Sequence, residues 1–259
     1  LRTRHACAIR ISIPKDRLHL RVDQAQVEAV FFSFFRNNRG KNEAIELDHA
    51  AKGRGQKMKE LEERIRREGA ILSETVLKVD SFLNHQVDTE LALATGREFA
   101  RVFGDEKITK VLTIEASGIQ FAMAAGIALG VPFVYAKKKK AVTQSDKLYV
   151  APVHSFTRGE TYQVSVDQRY LNAGDRVLIV DDFLATGAAL VGLVDIVRES
   201  GAELVGVGCI IEKSFQEGRG LLEAKGVRIH SLARIASMKP GEVHFIEETG
   251  NRQLTEERA

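Results

Sequence analysis

Residues 177–190 read VLIVDDFLATGAAL, and the fold follows from how this stretch changes character along its length. Val177 to Val180 is an unbroken apolar run. Asp181 and Asp182 follow, then Phe183 and Leu184, an Ala185-Thr186-Gly187 turn, and a helical pattern opening at Ala188. A buried strand that passes through a small-residue turn straight into a helix is the half-unit of an α/β domain with a parallel sheet. The same order suits an anion. Small residues let backbone N–H groups come close, and the helix N-terminus adds unpaired donors and a partial positive charge. Gly187 tolerates the dihedrals of a tight nest, and Thr186 adds a hydroxyl. Asp181 and Asp182 can accept from sugar hydroxyls or support a hydrated Mg²⁺. An ordinary strand–turn–helix connection accounts for the Gly and the Thr but not for paired acids followed by apolar residues. The stretch is neither a Walker A loop, which needs a Lys after the Gly, nor a GxGxxG dinucleotide fingerprint.

Outward from this stretch the rhythm repeats. Lys110–Ile114 is a short apolar strand that ends in the turn EASG, and Ile119–Leu129 is an Ala-rich helix stopped by Gly130-Val131-Pro132. Phe133–Ala136, Arg176–Val180, Glu203–Ile211 and Arg228–Ala233 read as further strands, with helices over Ala188–Ser200 and Gly218–Lys225 between them. Thr89–Phe103 is amphipathic, with Leu91, Ala94, Phe99 and Val102 on one face. Lys59–Gly69 carries Glu62 and Glu63 four residues before Arg66 and Arg67, a helical charge pairing. Tyr149–Val166 alternates apolar and polar residues around Arg158-Gly159-Glu160, as a β-hairpin with a mobile tip does. The expected architecture is therefore α/β: a mostly parallel sheet flanked by helices, with a flexible β-hairpin lid.

Composition narrows the class. Of 259 residues, 44% are hydrophobic and 28% charged, which is ordinary for a globular chain. No apolar run approaches the roughly 20 residues of a membrane span, and no apolar core or cleavage site marks a secretory signal at the N-terminus. Cys7 and Cys209 stand far apart, without a CxxC pattern, so a reducing cytoplasm is the default location. Charge is uneven: residues 1–57 hold 12 Lys and Arg against 6 Asp and Glu, whereas the remainder is mildly acidic.

VLIVDDFLATGAAL resembles the phosphoribosyl pyrophosphate (PRPP) signature of the type I phosphoribosyltransferase family. From Met58 to about Glu248 the chain is similar to the bacterial xanthine phosphoribosyltransferases within it, with adenine enzymes as more distant relatives. The resemblance implies the type I fold with a small N-terminal hood. It implies that Ala185, Thr186, Gly187, Ala188 and Ala189 bind the 5′-phosphate, with Asp181 and Asp182 at the ribose. Thr113 to Ile119, TIEASGI, matches the turn that holds pyrophosphate through backbone N–H groups, here those of Ala116, Ser117 and Gly118. Adenine enzymes typically have Arg where Ser117 stands. Glu115 is a candidate proton shuttle.

Two strings carry the purine side of the resemblance. VLKVDSFLNHQVD, residues 76–88, implies that Leu77 and Asn84 reach the base, Asn84 offering both a donor and acceptors to a 2-oxo edge. His85 is read as structural. IEKSF, residues 211–215, implies Lys213 against the 6-oxo group and N7, with Phe215 as a candidate for stacking. The lysine run 137–140, Lys137 and Lys140 foremost, and the lid residue Arg158 are pyrophosphate candidates. Which lysine acts is not legible in four alike. The implied activity is transfer of the phosphoribosyl group from PRPP to xanthine, with Mg²⁺ bound mainly through PRPP and no metal site made by the protein alone. A homodimer is implied as well. Guanine/hypoxanthine or adenine transfer, or a PRPP-sensing purine regulator, are the alternatives. A regulator would pair this domain with a DNA-binding module, but residues 1–57 show no two helices joined by a short turn; nucleic acid is not an expected partner.

Residues 1–57 lack βα alternation, their one strong helix candidate being Asp23–Arg36, and residues 51–57 read as a linker. They are expected to be an extension, disordered or arising from a mis-called start ahead of Met58. Residues 58–249 form the transferase domain, and 250–259 a polar tail.

Overall fold

A computed structural model describes residues 54–138, 147–155 and 159–246. Most of the extension 1–57, the tail 250–259, and the candidates Lys140 and Arg158 lie outside those residues. Helix α1 (Arg54–Glu68) starts ahead of Met58 and buries Leu61 and Ile65 against the last two strands. Of its expected charge pairs, Glu62–Arg66 forms at 3.7 Å, whereas Arg67 turns to Glu68 at 2.7 Å. Two short strands, β1 (Ala70–Ile71) and β2 (Leu77–Lys78), pair antiparallel as the hood. A π-helical turn, Asp80–Asn84, follows with Phe82 and Leu83 buried. Helix α2 (Thr89–Phe103) comes next, N-capped by Asp88, whose carboxylate accepts from Leu91 N at 3.0 Å. Arg64 of α1 pairs with the same Asp88 and so ties the first helix to the hood.

The main sheet follows from β3 (Lys110–Ile114), α3 (Ile119–Leu129), β4 (Phe133–Ala136), β7 (Arg176–Leu184), α4 (Ala188–Glu199), β8 (Glu203–Lys213), α5 (Gly218–Ala224), β9 (Ile229–Lys239) and β10 (Glu242–Phe245). Its six strands run in the order β10-β9-β8-β7-β3-β4, all parallel except β10. The remaining strands, β5 (Leu148–Ser155) and β6 (Glu160–Asp167), form the expected hairpin, joined to the end of β4 by a Lys137–Ser165 bridge.

Small residues let the layers close. A Cβ at Gly206 or Gly208 of β8 would fall 2.7 Å from the rings of Phe103 or Phe99, so these glycines make room for the aromatic face of α2. Helix α3 ends where Gly130 enters the left-handed region (φ 71°) and Val131 N donates back to Gly126 O at 3.0 Å.

Three strands are longer than their apolar runs predict. β7 continues through Asp181 to Leu184 because Asp181, Phe183 and Leu184 keep pairing with Cys209, Ile211 and Glu212 of β8. β8 in turn reaches Lys213, and β9 reaches Lys239. Polar residues at a sheet's carboxyl edge are held in strands by their neighbours, not by their own propensity. The order also places a reversal: from β3 the chain moves outward to β4, then returns to build β7, β8 and β9 on the other side. Ligands of open α/β sheets bind beyond the carboxyl ends of the strands at such a switch point, here between β3 and β7.

Candidate active site

The two turns singled out from sequence leave the carboxyl ends of these two neighbouring strands. From β3 the chain passes through Glu115, Ala116, Ser117 and Gly118 into α3; from β7 it passes through Ala185, Thr186 and Gly187 into α4. The Glu115–Ala116 peptide is cis. Both helices begin on a glycine N-cap without a side-chain hydrogen bond, whereas α2 has Asp88 for that purpose. Uncapped first-turn amides at a switch point are donors suited to phosphate oxygens.

The second turn is built around Gly187. Its φ of 81° is left-handed, and a Cβ there would lie 2.7 Å from Gly218 Cα. Gly218 N donates to Ala185 O at 3.0 Å, so the start of α5 backs the turn 185–187 from behind. Ala185, Thr186, Ala188 and Ala189 are half-buried and line this cradle.

The paired acids divide. Asp181 is 4% exposed, and its Oδ1 has no hydrogen-bond partner; Thr113 Oγ1 of β3 is likewise buried without one. Both sit directly beneath Gly118, where a Cβ would come within 2.6 Å of Asp181 Oδ1 and collide with Thr113 Oγ1. Asp182 is half-buried and reaches the open side. Burial pushes the pKa of Asp181 well up, and the charge of Asp182 adds to this. Burial raises Asp182 as well, while the Lys138 ammonium acts against the rise at both acids. Of the two described lysines of the run, Lys138 is the one whose charge acts on both acids, and Glu115 Oε1 accepts from its backbone N at 2.7 Å. Lys137 is engaged through its backbone with Ser165 of the lid, its ammonium 6.0 Å from the Tyr135 ring.

On the purine side, Lys213 is half-buried; its ammonium donates to Thr75 O at 2.7 Å and lies 5.3 Å from the centre of the Phe183 ring. Burial lowers its pKa. The Thr75 contact brings the hood to Lys213 two residues ahead of Leu77. Leu77 itself is buried in the core beside Gly69, so its side chain packs inward. Asn84 is exposed at the end of the π-helical turn, beside Leu83, whose carbonyl accepts from Gln120 Nε2 of α3 at 2.9 Å. His85 is exposed next to it. Phe215 is 39% exposed and lines a cleft of about 370 Å³ with Glu74, Ser237, Met238, Lys239 and His244.

Several residues of this arrangement escaped the reading of the sequence: Thr113, Gln120, Phe183, and the pair Glu212–Arg219; Lys138 was inside the candidate run but not singled out. Glu212 is wholly buried behind Lys213, with Arg219 donating to both its oxygens at 2.8 and 2.6 Å. A lone acid next to the candidate Lys213 was the available signal for it. Among the described residues, no group of three or more His, Cys, Asp or Glu side chains gathers as a metal site.

Comparison with known proteins agrees with this geometry. The phosphoribosyl transferase domain profile matches residues 87–229. A xanthine phosphoribosyltransferase of Brevibacillus brevis is 70% identical over 74% of this chain and 97% of its own length. One from Shouchella clausii is 54% identical over 75% of this chain and 97% of its own. Among solved structures, an adenine phosphoribosyltransferase from Rhodothermus marinus aligns with a TM-score of 0.57 at 24% identity, covering 70% of this chain and 99% of that one. That last likeness is one of fold.

Proposed function

The chain belongs to the phosphoribosyltransferase family, in its xanthine phosphoribosyltransferase branch, and from that membership we infer that it transfers the 5-phosphoribosyl group of PRPP to xanthine, giving XMP and pyrophosphate. The observation that supports this reading best is the pairing of two uncapped helix N-termini at the β3/β7 switch point with a half-buried lysine, Lys213, at the end of β8.

In the reaction the bond from the ribose anomeric carbon to pyrophosphate breaks, a bond from a purine ring nitrogen forms, and that nitrogen loses its proton. Positive charge develops on the ribose as the leaving group departs, so catalysis is chiefly positioning and electrostatics. The 185–189 cradle fixes the 5′-phosphate, and the backbone of 116–118 with Lys138 receives the pyrophosphate. Asp182 accepts from the ribose hydroxyls and stabilises the cationic centre. Lys213 donates to the 6-oxo group and N7; an adenine 6-amino group offers it no acceptor. Asn84 reads the 2-oxo edge, and the hairpin β5–β6 covers the site against water. Mg²⁺ would arrive with PRPP and neutralise charge on the pyrophosphate; the half-buried Asp182 carboxylate is the hard donor such an ion would take.

A homodimer fits the exposed Met123 and Ile127 on α3 beside edge strand β4, which sedimentation would test. No described helix is long and apolar enough to cross a membrane, and work in the cytoplasm, where PRPP is made, is part of the proposal.

The decisive experiment incubates the full chain with PRPP, Mg²⁺ and xanthine, guanine, hypoxanthine or adenine in turn, and follows nucleotide formation by chromatography. XMP as the product with the highest kcat/KM is expected. A chain that uses guanine or adenine in preference, or forms no nucleotide, contradicts the reading.

A further inference from the structure

Gln120 occupies the first turn of α3, immediately beyond the 116–118 turn and its Gly118 cap. Its half-buried side chain crosses to a different part of the chain, where Nε2 donates to the carbonyl of Leu83 at 2.9 Å. Leu83 precedes Asn84 in the π-helical turn Asp80–Asn84. That turn is wide: Val79 O accepts from the N–H groups of Phe82, Leu83 and Asn84, at 3.3, 2.9 and 3.4 Å. Its two buried side chains, Phe82 and Leu83, anchor it in the core, but its rim is held by longer bonds. π-Helical turns are uncommon and concentrate where function needs an altered backbone.

One side chain therefore spans the gap between the turn that receives pyrophosphate and the turn that presents Asn84. The donor must be the amide NH₂, since a carbonyl oxygen only accepts. The helix makes the link stiff. Gln120 stands on the first turn of α3, so an anion that orders the 116–118 amides also fixes the Cα from which Gln120 reaches.

We propose that Gln120 is a positioning residue that couples the two substrate sites, so that occupation of the pyrophosphate turn sets the Leu83–Asn84 backbone for the purine. The proposal rests on the assignment of xanthine and PRPP to this site. Coupling of binding free energies is reciprocal: pyrophosphate must tighten xanthine by the same factor that xanthine tightens pyrophosphate. A single neutral hydrogen bond contributes enough for a factor of about 3 to 10.

Inorganic pyrophosphate with Mg²⁺ is the probe, because without ribose nothing can react. Calorimetry on the full chain measures the xanthine Kd with and without saturating pyrophosphate, for wild type, Gln120→Met and Gln120→Lys. Methionine keeps the length and apolar stem but has no donor; lysine restores a donor at similar reach. The expected result is an about 3- to 10-fold tightening in wild type, none in Gln120→Met, and partial recovery in Gln120→Lys. Loss of coupling in Gln120→Met should raise KM for xanthine at saturating PRPP and KM for PRPP at saturating xanthine by a similar factor, while the Kd of each ligand measured alone is unchanged. A purely structural role would instead lower Tm and weaken each ligand measured alone. An undiminished pyrophosphate effect in Gln120→Met overturns the proposal, as does its absence from wild type. If wild type makes no XMP, the functional assignment fails and the proposal falls with it, a result distinct from either of those.

Discussion

Glu212→Gln tests whether charge, rather than packing, holds the floor of the site. Glu212 ends β8 beside Lys213 with its side chain 1% exposed. Arg219 donates to both carboxylate oxygens, the Ser214 hydroxyl donates to Oε1 at 2.5 Å, and Arg234 Nε approaches the same atom at 3.3 Å. Burial alone would raise the pKa of Glu212. The hydrogen bonds from Arg219 and Ser214 more than offset that and carry it from 4.5 to about 2. A folded value below the unfolded one means that the stabilisation is fully present above about pH 4.5 and is lost as pH falls through about 2. At about 1.4 kcal/mol per unit, the shift is worth about 3 kcal/mol near neutral pH, with roughly half of it left near pH 3.

Glutamine keeps the shape, removes the charge and turns a donor toward Arg219. Urea unfolding of both proteins across that pH range should therefore show a gap of about 3 kcal/mol at neutrality that narrows to about 1.5 kcal/mol near pH 3. A gap that stays constant would refute the electrostatic argument and leave packing as the cause. The loss also reaches function. Arg219 lies on α5, whose first residue, Gly218, backs the phosphate cradle, so KM for PRPP should rise in Glu212→Gln where the fold persists.

Further outcomes follow from the cradle itself. Gly187→Ala places a Cβ 2.7 Å from Gly218 Cα at a φ of 81°; left-handed strain alone costs about 1–2 kcal/mol. KM for PRPP should rise at least about tenfold while xanthine binding by calorimetry changes little, and equal loss of both would contradict the placement. Asp182→Asn should weaken PRPP binding much more than Asp181→Asn, because Asp181 is buried and burial favours its neutral form, which an amide mimics. Matching losses in the two variants would show that both acids touch ribose. Lys138→Ala should lower kcat more than Lys137→Ala does, since the Lys138 charge acts on both acids while its ammonium also lies 5.7 Å from the Tyr162 ring of the hairpin, whereas the Lys137 ammonium lies 6.0 Å from the Tyr135 ring; the reverse order in steady-state kinetics would assign the role to Lys137.

The stretch 177–190 was legible because everything it does is local. Its strand, turn and helix arise from apolar run, small residues and glycine dihedral freedom acting within a few bonds, and α3 with its Gly130 stop is readable in the same way. Leu77, Asn84 and Lys213 were singled out through the family resemblance of two short strings, and the fold brings the hood carbonyl of Thr75 to Lys213. What depends on sheet order was not legible. Sequence alone does not say that β3 lies between β4 and β7, and only that order sets the two turns side by side. Neighbouring strands, not propensity, carried β7 through both acids, and the pleat then turned one inward beneath Gly118 and left the other on the open side. Four consecutive lysines are alike as letters; of the two described, Lys138 is distinguished by Glu115 at its backbone and by its charge near the paired acids, each brought to it across the sheet. Gln120 and Glu212 are ordinary polar residues until tertiary packing gives each a partner: Leu83 lies 37 residues from Gln120, and Arg219 meets Glu212 only after the chain has turned into α5. Propensity acts over a few bonds and can be read along the chain, whereas charge and hydrogen bonding act through space, and the fold decides which groups share it.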